Sequence, residues 1–300
     1  MAIFNRPQGR CVMKFLIGAA VLTSLAAAQV SMVVTAEPKH GGAASPVDRN
    51  EVMVWQDNQR RQVLDWVPLT GDQAALQLYI LVDDAVGQGF ANQLGDLRRF
   101  IANQPATTEI GVGYLNYGSV QIRQTPTADH DRAANAFRIP LARPGQSPSP
   151  YMSISELIKK KWPASAGRRE ILLITSGVDL YYREPDMEDP YLNAAVDDAQ
   201  RAGVIVYTIY WGDAHGVGRG PWSTTLSQGY LTRLTDQTGG EAWDEGLWNP
   251  VDIQPFLAQL SARLNEQYRL TFARSGKPGL QPVRIRTEAP GVKLVAAGKG

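Results

Sequence analysis

Leu76 to Val82 is an almost unbroken apolar run, and it stops at two consecutive aspartates, Asp83 and Asp84. A strand exposed on one face alternates apolar and polar residues, so a run apolar at successive positions implies a strand buried on both faces. Helices must then cover the two faces of its sheet. Two further runs of this kind follow, Glu170 to Thr175 and Val204 to Tyr210. Between them the apolar residues recur at helical spacing, as in Phe90, Leu94, Leu97, Phe100 and Ile101. The spacing also predicts helices over 129–137, 154–162, 191–202, 226–235 and 253–264, the fourth of them closed by Thr238-Gly239-Gly240. Gly203 fits the C-terminal cap of the third. Alternating strands and helices through residue 264 predict an α/β domain with a doubly wound, mostly parallel sheet.

The ends of the chain read differently. Arg6, Arg10 and Lys14 precede an apolar stretch from Phe15 to Ala28, followed by small residues at Ala26-Ala27-Ala28 and Val34-Thr35-Ala36. That order describes a secretory signal, with Ala28 and Ala36 as cleavage points, and Met13 fits as a start. The alternative is an uncleaved anchor through Phe15 to Ala36, about long enough to span a bilayer. On this reading residues 1–36 are the signal, 37–50 a flexible lead-in, 51–70 a hairpin turning at Asp57-Asn58, and 71–266 the α/β domain. Residues 267–300 form a β tail that packs with the hairpin in a small β-layer. The expected location is secreted or periplasmic.

Composition closes several functional classes. With 30 Lys+Arg against 29 Asp+Glu the formal net charge is +1, which argues against a general nucleic-acid or membrane-surface binder, since both usually need a basic excess on one face. Membrane contact is expected only through an uncleaved N-terminal segment. The one cysteine, Cys11, precedes the apolar stretch, so a cleaved chain has no thiol for disulfides, catalysis or metal binding. The three histidines, His40, His130 and His215, have no metal-ligand spacing, and no Gly-x-Ser-x-Gly elbow is present.

In an open α/β sheet, ligands bind beyond the carboxyl ends of the strands. The strand-end loops carry Asp83, Asp84, Asp179, Glu184, Asp186 and Asp213. Such acids suit a hard cation, Mg²⁺ or Ca²⁺, or else they cap helices and order loops. Tyr181, Tyr182, Tyr191, Tyr210, Trp211, Trp222, Tyr230, Trp243 and Trp248 also concentrate in the second half. Exposed, they would mark a protein-recognition surface; otherwise they belong to the core.

The order of these elements resembles the von Willebrand factor A fold, and more narrowly the bacterial exported proteins related to it. The likeness is carried by the strand ending at Asp83, by Val52-Met53-Val54-Trp55, and by Arg201-Ala202-Gly203-Val204-Ile205-Val206-Tyr207. Thr238-Gly239-Gly240 and Asn265-Glu266-Gln267-Tyr268-Arg269-Leu270-Thr271-Phe272 add to it, and it covers about residues 50 to 300. The resemblance implies a protein-binding or adhesion module rather than an enzyme. It also implies a metal-ion-dependent adhesion site built from Asp-x-Ser-x-Ser, a Thr and a later Asp. Carried onto this chain, the first Asp is Asp83, the serines fall on Ala85 and Gly87, the Thr on Thr127 with Thr125 as alternative, and the later Asp on Ser176. The expectation is a degenerate site with no cofactor, on a binding edge of Asp83, Asp84, Ala85, Gly87, Thr127, Ser176, Asp179 and Asp213. Its alternatives are residual weak Mg²⁺ or Ca²⁺ binding in a metal-dependent adhesion domain, or a hydrolase using the acidic edge. The expected partner is a protein or peptide.

Overall fold

The computed structural model describes Met1 and residues 29–42, 44–141, 149–165, 167–182, 188–212 and 220–300. In chain order it contains β1 (Gln29–Pro38), β2 (Val52–Gln56), β3 (Gln59–Arg61), β4 (Val63–Pro68) and β5 (Leu76–Asp83). Then come α1 (Leu94–Ala102), β6 (Thr108–Asn116), β7 (Ser119–Thr127), α2 (His130–Asn135), α3 (Pro150–Glu156) and β8 (Arg168–Thr175). The rest is α4 (Pro190–Ala202), β9 (Val204–Tyr210), α5 (Pro221–Thr238), β10 (Ala242–Trp243), α6 (Gln254–Asn265), β11 (Gln267–Ala273), β12 (Val283–Thr287) and β13 (Val292–Ala296).

The central sheet has the order β10-β9-β8-β5-β6-β7 and is parallel except for β7, which runs antiparallel to β6. Strand order reverses beside β5, as in doubly wound folds. The apolar run of β5 serves both faces. Leu78, Ile80 and Val82 pack with residues of α1 and α6, among them Leu97, Ile101, Leu257 and Leu260. Tyr79 and Leu81 join the opposite cluster with Ile154 of α3, Ala195 of α4 and Leu231 of α5. Gly203 caps α4 in the left-handed conformation, as its position predicts. The Thr238-Gly239-Gly240 element is architectural. Thr238 Oγ1 accepts the Val206 N–H at 3.2 Å, Gly239 ends α5 at φ +86°, and a Cβ on Gly240 would overlap the Val206 carbonyl oxygen.

The chain ends interleave in two smaller sheets, β13-β1-β11-β4 and β12-β2-β3, around Val34, Val54, Trp66, Leu270 and Phe272. Three expectations are corrected here. Residues 29–36, assigned to the signal, belong to β1, which lies between β11 and β13 with Val34 and Ala36 buried. Cleavage after Ala28 leaves this strand whole, whereas cleavage after Ala36 would delete most of it. The stretch 37–50 is not a free lead-in: Val47 is buried and its carbonyl accepts the Trp66 indole N–H at 2.9 Å. The hairpin is shorter than 51–70. Asp57 and Asn58 both take positive φ, so the two-residue turn sets β3 opposite β2, while β4 leaves to pair with β11.

Candidate functional site

The carboxyl edge of the central sheet gathers the ends of β5 and β8 with the segment that returns from α2. Asp83 closes β5. Its Oδ1 accepts the Ala85 N–H at 2.9 Å and its Oδ2 accepts the Thr175 hydroxyl at 2.7 Å. It therefore caps the turn Asp84–Val86, with both oxygens directed inward. Gly87, at φ +75°, ends that turn. Ser176 is buried, and its Oγ accepts the Val178 N–H at 3.4 Å.

Asp84 has no exposed surface, and its partner is a cation from within the chain. Arg138 Nη1 and Nη2 donate to Asp84 Oδ1 and Oδ2 at 2.6 and 2.7 Å, a bidentate pair, and the Leu141 N–H adds a third bond at 3.1 Å. The guanidinium lies 3.9 Å from the centroid of the Tyr114 ring. The Tyr114 hydroxyl donates to the Arg138 carbonyl at 2.6 Å and accepts the Arg138 N–H at 2.8 Å. Burial works against charge on Arg138, but the hydrogen bonds and charge of Asp84 outweigh it and raise the guanidinium above its ordinary value.

Asp179 is held in a third arrangement. Its Oδ2 accepts the Ser149 hydroxyl at 2.5 Å, and its Oδ1 accepts the Tyr181 and Tyr182 N–H groups at 2.7 and 3.1 Å. Burial, the largest influence, raises its carboxyl above the usual range. Ser149 also caps α3, so Asp179 ties the loop after β8 to that helix.

Thr127 is not at this edge. It pairs with Ile110 on β6, and Ile110 is level with Leu78 on β5. Asp83 is five positions beyond Leu78, so Thr127 lies about 16 Å down the sheet. There its Oγ1 accepts the Asp129 N–H at 3.1 Å. Thr125, two residues earlier on the same descending strand, stands nearer that end than the site. The reason is direction: β7 runs antiparallel and carries the chain away from the edge, and the segment after α2 brings Arg138 and Leu141 back. Asp213, Glu184, Asp186 and His215 lie outside the described residues. His130 caps nothing at this edge; its Nε2 meets the Thr108 carbonyl at 2.8 Å.

These residues do not fit a divalent cation. Ala85 and Gly87 offer no side-chain oxygen, Thr127 is remote, both Asp83 oxygens hold donors, and Asp84 already holds a guanidinium. A hard cation requires about six oxygen ligands. Among the described residues no group of three His, Cys, Asp or Glu is placed to hold a metal.

The same edge exposes apolar side chains. Apart from Met1, the large exposed hydrophobic residues of the described chain are Tyr117, Ile139, Leu141, Tyr181, Trp222, Leu247, Trp248 and Val251. Each sits in a loop or helix start at this edge: the β6–β7 turn, the segment at Asp84, and the connections after β8, β9 and β10. Trp222 is 70 % and Trp248 78 % exposed. Tyr210, Trp211, Tyr230 and Trp243, from the same stretch of sequence, are buried.

Neither the protein-family models nor the curated proteins compared with the chain match it. Solved structures do. An aerotolerance-related membrane protein from Bacteroides fragilis is 13 % identical, over 63 % of this chain and 98 % of that one, with a TM-score of 0.44. BatB from Bacteroides thetaiotaomicron is 13 % identical, over 63 % and 97 %, with a TM-score of 0.46. A von Willebrand factor type A protein from Catenulispora acidiphila is 10 % identical, over 90 % and 73 %, with a TM-score of 0.40. No described helix is long and apolar enough to cross a membrane.

Proposed function

We propose that the chain is an exported von Willebrand factor A-like module that binds a protein or peptide at the carboxyl edge of its central sheet, without a metal ion. The observation that carries this reading is the gathering of exposed large apolar side chains at the edge where an internal arginine holds Asp84. Exposed aromatics of this kind serve as anchors in protein interfaces. Export rests on the signal-like first 28 residues, and β1 stays whole whether they are cleaved after Ala28 or retained as an anchor. The test is capture of partners from the source cell envelope with and without chelator, using the native protein and the Trp222→Ser/Trp248→Ser variant. The expected result is capture that survives chelator and is lost in the double variant, whose stability is unchanged. Capture that needs a divalent ion, or calorimetric Mg²⁺, Ca²⁺ or Mn²⁺ binding tighter than millimolar that disappears in Asp83→Ala, would overturn it. So would turnover in a hydrolase screen that falls when Asp83 or Asp179 is changed.

A further inference from the structure

A second surface lies on the β-layer, away from the edge above, and its residues come from both ends of the sequence. On β2, Trp55 stands opposite Arg60 of β3 on one side and Arg284 of β12 on the other; Met53 stands opposite Arg286. Residues directly opposite in a sheet share a face, so Arg60, Arg284, Arg286, Trp55 and Met53 form one outer surface. Val52, Val54 and Gln56 point the other way and are buried. All three arginines are exposed, and the Arg284 guanidinium lies 4.9 Å from the centroid of the Trp55 ring.

This positive charge is not neutralised locally. Among the described residues no ion pair involves any of the three arginines. The neighbouring acids are Glu51, whose Oε2 accepts the Asp48 N–H at 2.8 Å, Asp57, which pairs with Lys277, and Glu288, one residue beyond β12. The face also adjoins the point where the apolar N-terminal stretch joins the fold. Gln29, next after that stretch, pairs with Ala273, and the Ala273 N–H donates to the Gln62 carbonyl at 3.0 Å. Gln62 is two residues from Arg60. On the β12 side, Val30 and Val283 both pack about Gly300, and Val283 precedes Arg284.

We infer that this arginine–tryptophan face docks the domain on an anionic phospholipid surface. Guanidinium groups match phosphate geometry, and an amphipathic indole suits the headgroup layer. An acidic protein would also attract the three charges, but their position beside Gln29 sets them next to any bilayer that the apolar stretch enters, which favours a membrane. The inference stands apart from the partner-binding edge and survives if that reading fails.

The test uses the protein purified with its N-terminal segment, mixed with vesicles of phosphatidylcholine alone or of phosphatidylcholine rich in phosphatidylglycerol. The apolar segment and its flanking Arg6, Arg10 and Lys14 contribute alike to the native protein and to variants of the face, so the difference in anionic preference between them isolates the face. With three arginines the preference should be on the order of 100-fold at low salt and should shrink as salt rises. The Arg60→Gln/Arg284→Gln/Arg286→Gln variant should lower the preference on the order of 100-fold with its circular dichroism unchanged. If that variant fails to fold, single Arg60→Gln and Arg284→Gln variants should each lower the preference about fivefold. Equal binding of the native protein to both vesicles, or a folded triple variant whose preference equals that of the native protein, would overturn the inference. Soluble polyglutamate binding as tightly as anionic vesicles would also overturn it, in favour of an acidic protein.

Discussion

Replacing Arg138 with methionine tests whether the edge is held by an internal ion pair. Methionine keeps much of the aliphatic stem but strands Asp84, which has no exposed surface, with the Leu141 N–H as its remaining bond. Removing one partner of a fully buried pair costs about 3–5 kcal/mol, because the other charge stays buried and uncompensated. The Arg138 side chain is 23 % exposed and one donor to Asp84 survives, so the expected loss is about 2–4 kcal/mol. In a chain of this size that lowers Tm by roughly 5–15 °C. The reverse change, Asp84→Asn, leaves the partly exposed guanidinium to water and should cost only about 1–2 kcal/mol. Combined, Asp84→Asn and Arg138→Met should destabilise less than the sum of the two, by about 1–3 kcal/mol. Urea denaturation followed by far-UV circular dichroism reads all three variants. An Arg138→Met protein within about 0.5 kcal/mol of the native one would refute the argument. Additivity in the double variant would do the same.

Two further outcomes follow from the packing. Glu170 is fully buried against Gln267, Tyr207 and Arg168, with neither oxygen in a well-aligned hydrogen bond, and burial raises it above its ordinary value of 4.5. The folded state then holds a proton that the unfolded state releases first, so Glu170 lowers stability as pH rises through its raised value. Glu170→Gln should flatten that slope and be more stable than the native protein at neutral pH, with the advantage gone near about pH 4; urea midpoints across this range check it. Gly240→Ala places a methyl group against the Val206 carbonyl, a backbone neighbour that cannot rotate away, and should cost about 3 kcal/mol or more on thermal melting.

Much of the fold was readable because burial on both faces leaves a plain mark in sequence. Leu78, Ile80 and Val82 face one helical layer while Tyr79 and Leu81 face the other, so β5 reads as an unbroken run. Gly203 marks the end of α4 because few other residues take the left-handed cap at low cost. β1 was hidden, since its apolar residues continue those of the signal-like stretch and no turn signal separates them. Thr127 was misplaced because pattern gives a strand's existence but not its direction. Asp84 and Arg138 are 54 residues apart, one in a turn and one in an irregular segment, so no periodicity links them. Which tryptophans were exposed was equally hidden: Trp211 fits under the edge against Phe90, while Trp222 and Trp248 stand outside it.

The arrangement of acids at the edge shows how its shape is held although Ala85 and Gly87 offer no side-chain oxygen. A divalent ion in such a place would neutralise the carboxylates at the end of the first parallel strand and draw the surrounding loops together. Here the two tasks are divided. Asp83 is satisfied by the Ala85 amide and the Thr175 hydroxyl, which joins the ends of β5 and β8. Asp84 is neutralised by Arg138, which brings in the segment bearing Ile139 and Leu141. The loops are thus joined by hydrogen bonds and an ion pair within the chain. On the proposed reading a partner needs no ion to complete its contact, and apolar burial is left to supply the affinity. Burying one tryptophan removes about 200 Å² from water, worth about 5 kcal/mol before the costs of ordering and association. On the proposed reading Trp222 and Trp248 are the interface anchors, and their loss, rather than removal of metal, abolishes binding.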